Sequence, residues 1–256
     1  MEIIILGCWA PYPRGGGACS GYLFRAGGLN ILLEAGNGSL SRLREFMDFR
    51  LLDGVIITHL HHDHYLDLFP LRHAVEGARR EGKRAGPVRL VAPSFPEQAY
   101  EELACYKAAY EVTSIESLTW ETLDSGLQVQ RLDWGGMVFR FVGARHSVPA
   151  YSMAVEGPAK FVFSGDTART EELVKLAAGA DLFLCEASGL DSDAEYLRDS
   201  HLTARQAGEI AGQAGVKRLI LTHFWPEYDP AELCRQATAG FGRTALAAVE
   251  KVIYKV

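Results

Sequence analysis

Between Thr58 and His64 the chain places four candidate metal ligands, His59, His61, Asp63 and His64, inside six residues. Neutral imidazoles with a carboxylate suit zinc or a similar first-row divalent ion better than calcium or magnesium, which favour oxygen shells. His59 and His61 lie two apart, so in an extended segment they point the same way and can chelate one ion. Asp63 and His64 are adjacent and must point apart or reach around a bend, so the spacing predicts two metals. Val55, Ile56 and Ile57 just before the cluster predict a short buried strand, with the ligands at or past its carboxyl end. A histidine-rich exposed loop is the plainer alternative.

Further polar residues recur at the same kind of position. Asp166 follows the apolar run Phe161–Ser164, His223 follows Leu219–Thr222, and His146 stands just beyond Phe139–Val142. Sites collect where strands of an α/β sheet end. His59, His61 and His146 are therefore assigned to metal one, Asp63, His64 and His223 to metal two, with Asp166 bridging them by one oxygen to each. A hydroxide shared by two cations would have its pKa lowered until it is a nucleophile near neutral pH. Taken singly, Asp166 reads equally as a helix N-cap for the run from Thr170, and His146 or His223 as ordinary histidines; only their coincidence at strand ends argues for ligation. His201 stands in a loop before a helix for which Thr203 is the better N-cap. It is a candidate general acid or anion stabiliser, the alternative being a surface histidine. Glu186 would orient His201 or make a backbone contact. His62 and His73 read as exposed or locally packed.

These residues need strands to carry them. Apolar runs predict strands at Glu2–Leu6, Gly21–Arg25 and Asn30–Glu34, then a helix N-capped by Ser39 or Ser41, the strand at 55–57 and a helix from about Leu66 to Glu81. Val88–Ala92 follows as a strand and Phe95–Ala109 as a helix. Strands are predicted over Ser114–Leu118, Leu127–Leu132, Met137–Val142, Tyr151–Val155 and Phe161–Ser164. The last third alternates Glu171–Ala177, Leu182–Cys185, Thr203–Ala214, Arg218–Leu221, Ala231–Ala239 and a final strand near Val252–Val256. Each half thus has a block of strands followed by β/α alternation. This predicts two similar halves whose sheets pack face to face with helices outside, an α/β sandwich formed as a single domain over 1–256. The basic run Arg79–Arg84 reads as a helix end complementing its dipole, or as a phosphate-facing patch.

The chain has 48% hydrophobic and 23% charged residues and a formal net charge of -6, which gives no general attraction for nucleic acid. No apolar run approaches a membrane span, and Met1–Gly7 lacks the basic start and cleavage site of a secretory signal. The five cysteines, Cys8, Cys19, Cys105, Cys185 and Cys234, are odd in number and scattered. They read as reduced thiols of a cytoplasmic protein.

With Thr58–His64, His146, Gly165-Asp166-Thr167 and Thr222-His223 together, the chain resembles the metallo-β-lactamase superfamily almost end to end. The resemblance implies the four-layer αββα fold and a dinuclear zinc site. His64 differs from true β-lactamases, and His61 in place of glutamate argues against the di-iron branch. The stretches Arg145–Tyr151, Cys185–Ser188, His201–Ala204 and Leu221–Phe224 resemble tRNase Z, which implies that Asp63 is general base as well as ligand. It also implies that His201 is the acid near the scissile phosphate, with Glu186 orienting it. Four departures stand out. Only 19 residues lie between His146 and Asp166, where the tRNA-gripping arm would be. Cys185 replaces a common histidine, Trp225-Pro226-Glu227 precedes Tyr228 in place of the usual residues, and Glu34 stands where an aspartate is common. The chain looks more like the arm-less, YhfI-like bacterial hydrolases.

The function expected is a phosphodiesterase with two divalent ions, zinc best and manganese or iron alternatives, acting on small nucleotides or RNA ends with little or no tRNA cleavage. Hydrolysis of a carboxyl ester, lactone or thioester at the same site is the alternative, and binding without turnover the reading from another class. A homodimer is what tRNase Z relatives imply.

Overall fold

The computed structural model describes residues 1–256. Strands β1 (Glu2–Gly7), β2 (Gly21–Ala26) and β3 (Leu29–Ala35) form an antiparallel meander, which β4 (Gly54–Ile56), β5 (Val88–Ala92) and β6 (Tyr110–Ser114) extend in parallel. The second half repeats the pattern. There β7 (Thr119–Thr122), β8 (Gln128–Trp134), β9 (Met137–Gly143), β10 (Tyr151–Glu156) and β11 (Lys160–Phe163) are antiparallel. They are followed in parallel by β12 (Leu182–Glu186), β13 (Leu219–Thr222) and β14 (Leu246–Ala247). The last strand, β15 (Ile253–Lys255), crosses back to pair with β1. The sheets therefore run β15-β1-β2-β3-β4-β5-β6 and β14-β13-β12-β11-β10-β9-β8-β7.

Period-two alternation decides which residue enters which core. Ile3, Ile5, Tyr22, Phe24, Ile31 and Leu33 face the second sheet, while Ile4, Leu6, Leu23 and Leu32 face the helices of the first half. Across the sheet interface Tyr22 meets Phe163 at 5.2 Å, and Phe24 meets Phe139 and Phe161 at 6.1 and 5.9 Å between ring centroids. Helices α1 (Ser39–Phe46), α3 (Leu68–Arg80) and α4 (Glu97–Ala104) cover one outer face; α5 (Glu171–Ala177), α7 (Ala204–Gln213) and α8 (Pro230–Phe241) cover the other. The short helices α2 (His62–Tyr65) and α6 (Ala194–Leu197) lie in loops near the site. The result is the four-layer α/β sandwich.

Several boundaries differ from the sequence reading. Ser114–Leu118 is not a strand: β6 ends at Ser114 and a 3₁₀ turn over Ile115–Ser117 turns the buried Ile115 inward. The helix expected over Phe95–Ala109 is only Glu97–Ala104, because Pro96 disfavours helical backbone at Phe95 and itself stands extended as the N-cap, and the chain turns at Tyr106 to bring Ala109 into the core. The helix expected from Leu66 starts at Leu68. Neither Ser39 nor Ser41 caps α1. Its N-cap is Gly38 at φ 91, and Asp67 accepts from the Leu40 amide at 2.8 Å instead. Arg79 and Arg84 at the basic end of α3 donate to carbonyls of Ala108, Arg50, Gly86 and Pro87, so these guanidinium groups serve the backbone. No helix is long and apolar enough to cross a membrane.

Candidate metal centre

Strand ends of both sheets meet at one edge. After β4, Ile57 still bonds Val91 at 2.8 Å, and the chain stays extended to His61 (φ -87, ψ 145), which caps the turn α2. His59 and His61 thus project from an extended segment, Asp63 and His64 from a helical turn. His146 follows β9, Asp166 follows β11 and His223 follows β13. Gly165 holds φ +57, and a Cβ there would stand 2.6 Å from the Tyr151 carbonyl, so glycine is required for the bend that delivers Asp166. His223 and Glu34 both hold φ 58, a left-handed backbone costing a non-glycine residue about 1–3 kcal/mol.

Ligand-type atoms of His59, His61 and His146 lie within 4.8 Å of one another, as do those of Asp63, His64 and His223. Asp166 stands between the two sets: its Oδ2 is 3.5 Å from His59 Nε2, 3.4 Å from His64 Nε2 and 3.0 Å from His223 Nε2. Asp63 Oδ2 is 3.4 Å from His64 Nε2 and 3.7 Å from His223 Nε2, and His146 Nε2 is 3.1 Å from His61 Nδ1. His59 Nε2 is buried and has no hydrogen-bond partner. An unsatisfied buried nitrogen costs roughly 1–3 kcal/mol, which a cation at this point would relieve. Imidazole nitrogens with carboxylate oxygens are a donor set that suits divalent zinc, so the residues fit such an ion.

Burial pushes His59 well below the ordinary imidazole value, with His64 adding to it; His61 and His146 are lowered chiefly by burial. Burial also opposes the charge on His64 and His223. The carboxylates of Asp166 and Asp63 overcome it, raising His64 well above its usual value and His223 to about 10. Burial likewise opposes the carboxylates, but His64 and His223 hold Asp63 and Asp166 below their usual range. Cation binding must displace the imidazole protons.

The opposite ring nitrogens are held from behind. Thr58 Oγ1 meets His59 Nδ1 at 3.2 Å, Ser200 accepts from His146 Nδ1 at 2.7 Å, and Ser188 Oγ meets His223 Nδ1 at 2.8 Å. Glu34 Oε1 accepts from the Thr58 amide at 3.0 Å, and its Oε2 lies 3.4 Å from His64 Nδ1, an ion-pair distance without hydrogen-bond alignment. Such partners fix which nitrogen faces the cluster. Sequence reasoning assigned no role to Thr58, Ser188 or Ser200. For Ser188 a signal existed, since it stands two residues beyond Glu186 and shares its side of an extended segment.

His201 lies at the rim. Its Nδ1 is 3.1 and 3.2 Å from the Glu186 oxygens and 4.0 Å from Asp166 Oδ2. Burial opposes protonation of His201, and the Glu186 charge raises it above the ordinary value. Glu186 also accepts from the Thr167 and Leu202 amides at 2.6 and 3.2 Å, so it makes both the contacts considered for it. Thr170, not Asp166, caps α5, accepting from Leu173 at 3.1 Å. Cys185 is buried in β12 outside the cluster, all five cysteines are free, and His62 and His73 are exposed.

A four-layer sandwich with this His/Asp cluster at its strand ends defines the metallo-hydrolase class of the β-lactamase superfamily. The chain belongs to that family: residues 29–224 match the Beta-lactamase superfamily domain. The probable metallo-hydrolase YhfI of Bacillus subtilis is 29% identical over 227 residues, covering 87% of this chain and 86% of that protein. The YhfI crystal structure superposes with a TM-score of 0.89 at 25% identity, covering 99% of this chain and 98% of that one. Ribonuclease Z of Thermobifida fusca is 30% identical, with 90% of this chain and 86% of that protein covered.

Proposed function

We propose that this metallo-hydrolase is a dinuclear phosphodiesterase acting on small nucleotides or RNA ends. His59, His61 and His146 would hold one ion and Asp63, His64 and His223 the other, with the Asp166 carboxylate shared between them. When bound, the ions supply Lewis acidity toward a phosphoryl oxygen and lower the pKa of water. Asp63, on the cleft wall, takes the proton of the attacking water as well as serving as ligand.

The observation that carries the reading is His201, paired with Glu186, on the wall of the cleft that Asp63, Asp166 and His223 also line. An alkoxide leaving a phosphodiester is a poor leaving group and needs a proton as the bond breaks. With Nδ1 held by Glu186, Nε2 is the nitrogen free to donate it. The ribonuclease among the relatives supports phosphodiester chemistry.

His201→Ala tests the role. Zinc-loaded His201→Ala should lose roughly 10²- to 10⁴-fold in kcat on a diester with an alkyl leaving group. It should lose far less on a p-nitrophenyl diester, whose phenolate leaves unprotonated. Turnover of a lactone or thioester indifferent to His201→Ala, with no diester turnover in the parent, contradicts the reading and favours carboxyl ester chemistry.

A further inference from the structure

Over the cluster the cleft has a volume of about 200 Å³, and beside it opens a second cavity of about 260 Å³. Ser188, Tyr196, Leu197 and Trp225 line both, so the two adjoin along these residues. Large rings stand out to solvent around it: Tyr196 is 86% exposed, Tyr12 42% and Trp225 38%. Tyr12 packs edge-on against Trp225, with centroids 5.8 Å apart at 74°. Exposed rings grouped at the mouth of a cleft mark a binding surface.

The wall is preorganised. Arg14 donates to the carbonyls of Pro226 and Tyr228 at 2.6 and 2.7 Å while lying 4.3 Å over the Trp9 ring. Tyr12 donates to Glu227 at 2.9 Å. This gives Trp225-Pro226-Glu227, a departure from the tRNase Z pattern, a structural task. No lysine or arginine lines either cavity, and Asp193 lies in the second. The lining beside the cluster therefore suits a flat, uncharged group better than a second phosphate.

We propose that Trp225 and Tyr196 form a stacking subsite for the nucleobase of a single nucleotide whose phosphate sits at the His/Asp cluster. The preferred substrate is then a nucleoside monophosphodiester, not a polyphosphate. The placement of the phosphate rests on the phosphodiesterase reading above.

Calorimetric titration of the zinc-loaded protein with AMP, ribose 5-phosphate and ADP tests this without turnover. A stacked base should make AMP bind roughly 5- to 150-fold more tightly than ribose 5-phosphate, and ADP should bind no tighter than AMP. The AMP preference should collapse toward unity in Trp225→Ala and in the highly exposed Tyr196→Ala, and persist largely in Trp225→Phe. Equal affinities for AMP and ribose 5-phosphate in the parent overturn the subsite, as does an undiminished preference in both alanine variants. The phosphodiesterase reading fails separately, through absence of diester turnover. A Trp225-dependent preference for AMP in such an inactive protein still upholds the subsite.

Discussion

Glu186 holds His201 Nδ1 at 3.1 Å, and its charge, with that of Asp166 behind it, favours the protonated ring. Because the pairing raises His201 above the ordinary imidazole value, its acid form is complete below that value and is lost only as pH rises through the raised one. Glu186→Gln keeps an acceptor and removes the charge. The alkaline limb of kcat on an alkyl-leaving diester should therefore move to lower pH, while the p-nitrophenyl diester shows no such move; a limb that stays in place contradicts the pairing. The nearness of His59, His61, Asp63, His64, His146, Asp166 and His223 was legible because each closely follows an apolar run, and strand ends share one edge of a sheet. What holds those rings from behind was not. Ser200 contributes only a carbonyl, which any residue type would supply, and Ser188 a hydroxyl aimed by its loop. Glu34 was legible as a position, but its strained φ and its contacts with Thr58 and His64 depend on the chain around it.

The start of α7 was legible from local chemistry, while α8, expected over Ala231–Ala239, runs Pro230–Phe241. Thr203 caps α7 in a reciprocal pair with Gln206, and Asp229 accepts from Ala231 ahead of α8, whose first residue is Pro230. The approach of α7 to α8 was not, since it depends on partners distant in sequence. A Cβ at Gly208 would stand 2.1 Å from the Ala237 carbonyl and 2.9 Å from the Phe241 nitrogen, so the two helices touch backbone to backbone there. Gly208→Ala must push them apart and should cost about 1–3 kcal/mol in urea unfolding. A variant as stable as the parent contradicts that packing. The two-residue β14 and the turn at Ile115–Ser117 escaped notice for a related reason: pairing with β13 makes the one and burial of Ile115 the other.

Across the whole molecule the two halves repeat one plan, antiparallel strands followed by parallel ones, and the repeat was visible in the order of elements. The return of β15 to β1 was not, because nothing local to Ile253–Lys255 specifies its partner. The short connection from His146 to Asp166 is filled by β10 and β11, which leaves no length for a projecting arm. With a net charge of -6 and no lysine or arginine lining the cleft, phosphates of a long nucleic acid beyond the one at the cluster find little to neutralise them. Precursor tRNA should accordingly be cut much more slowly than a small nucleotide diester; comparable kcat/KM values for the two would contradict this. All of the proposed chemistry depends on two ions held across Asp166, and counting metal per chain tests that most directly. Protein loaded with zinc, freed of excess by gel filtration and measured by plasma mass spectrometry should carry two ions per chain, and Asp166→Ala fewer. A parent chain with one ion or none, or Asp166→Ala retaining both, would contradict it.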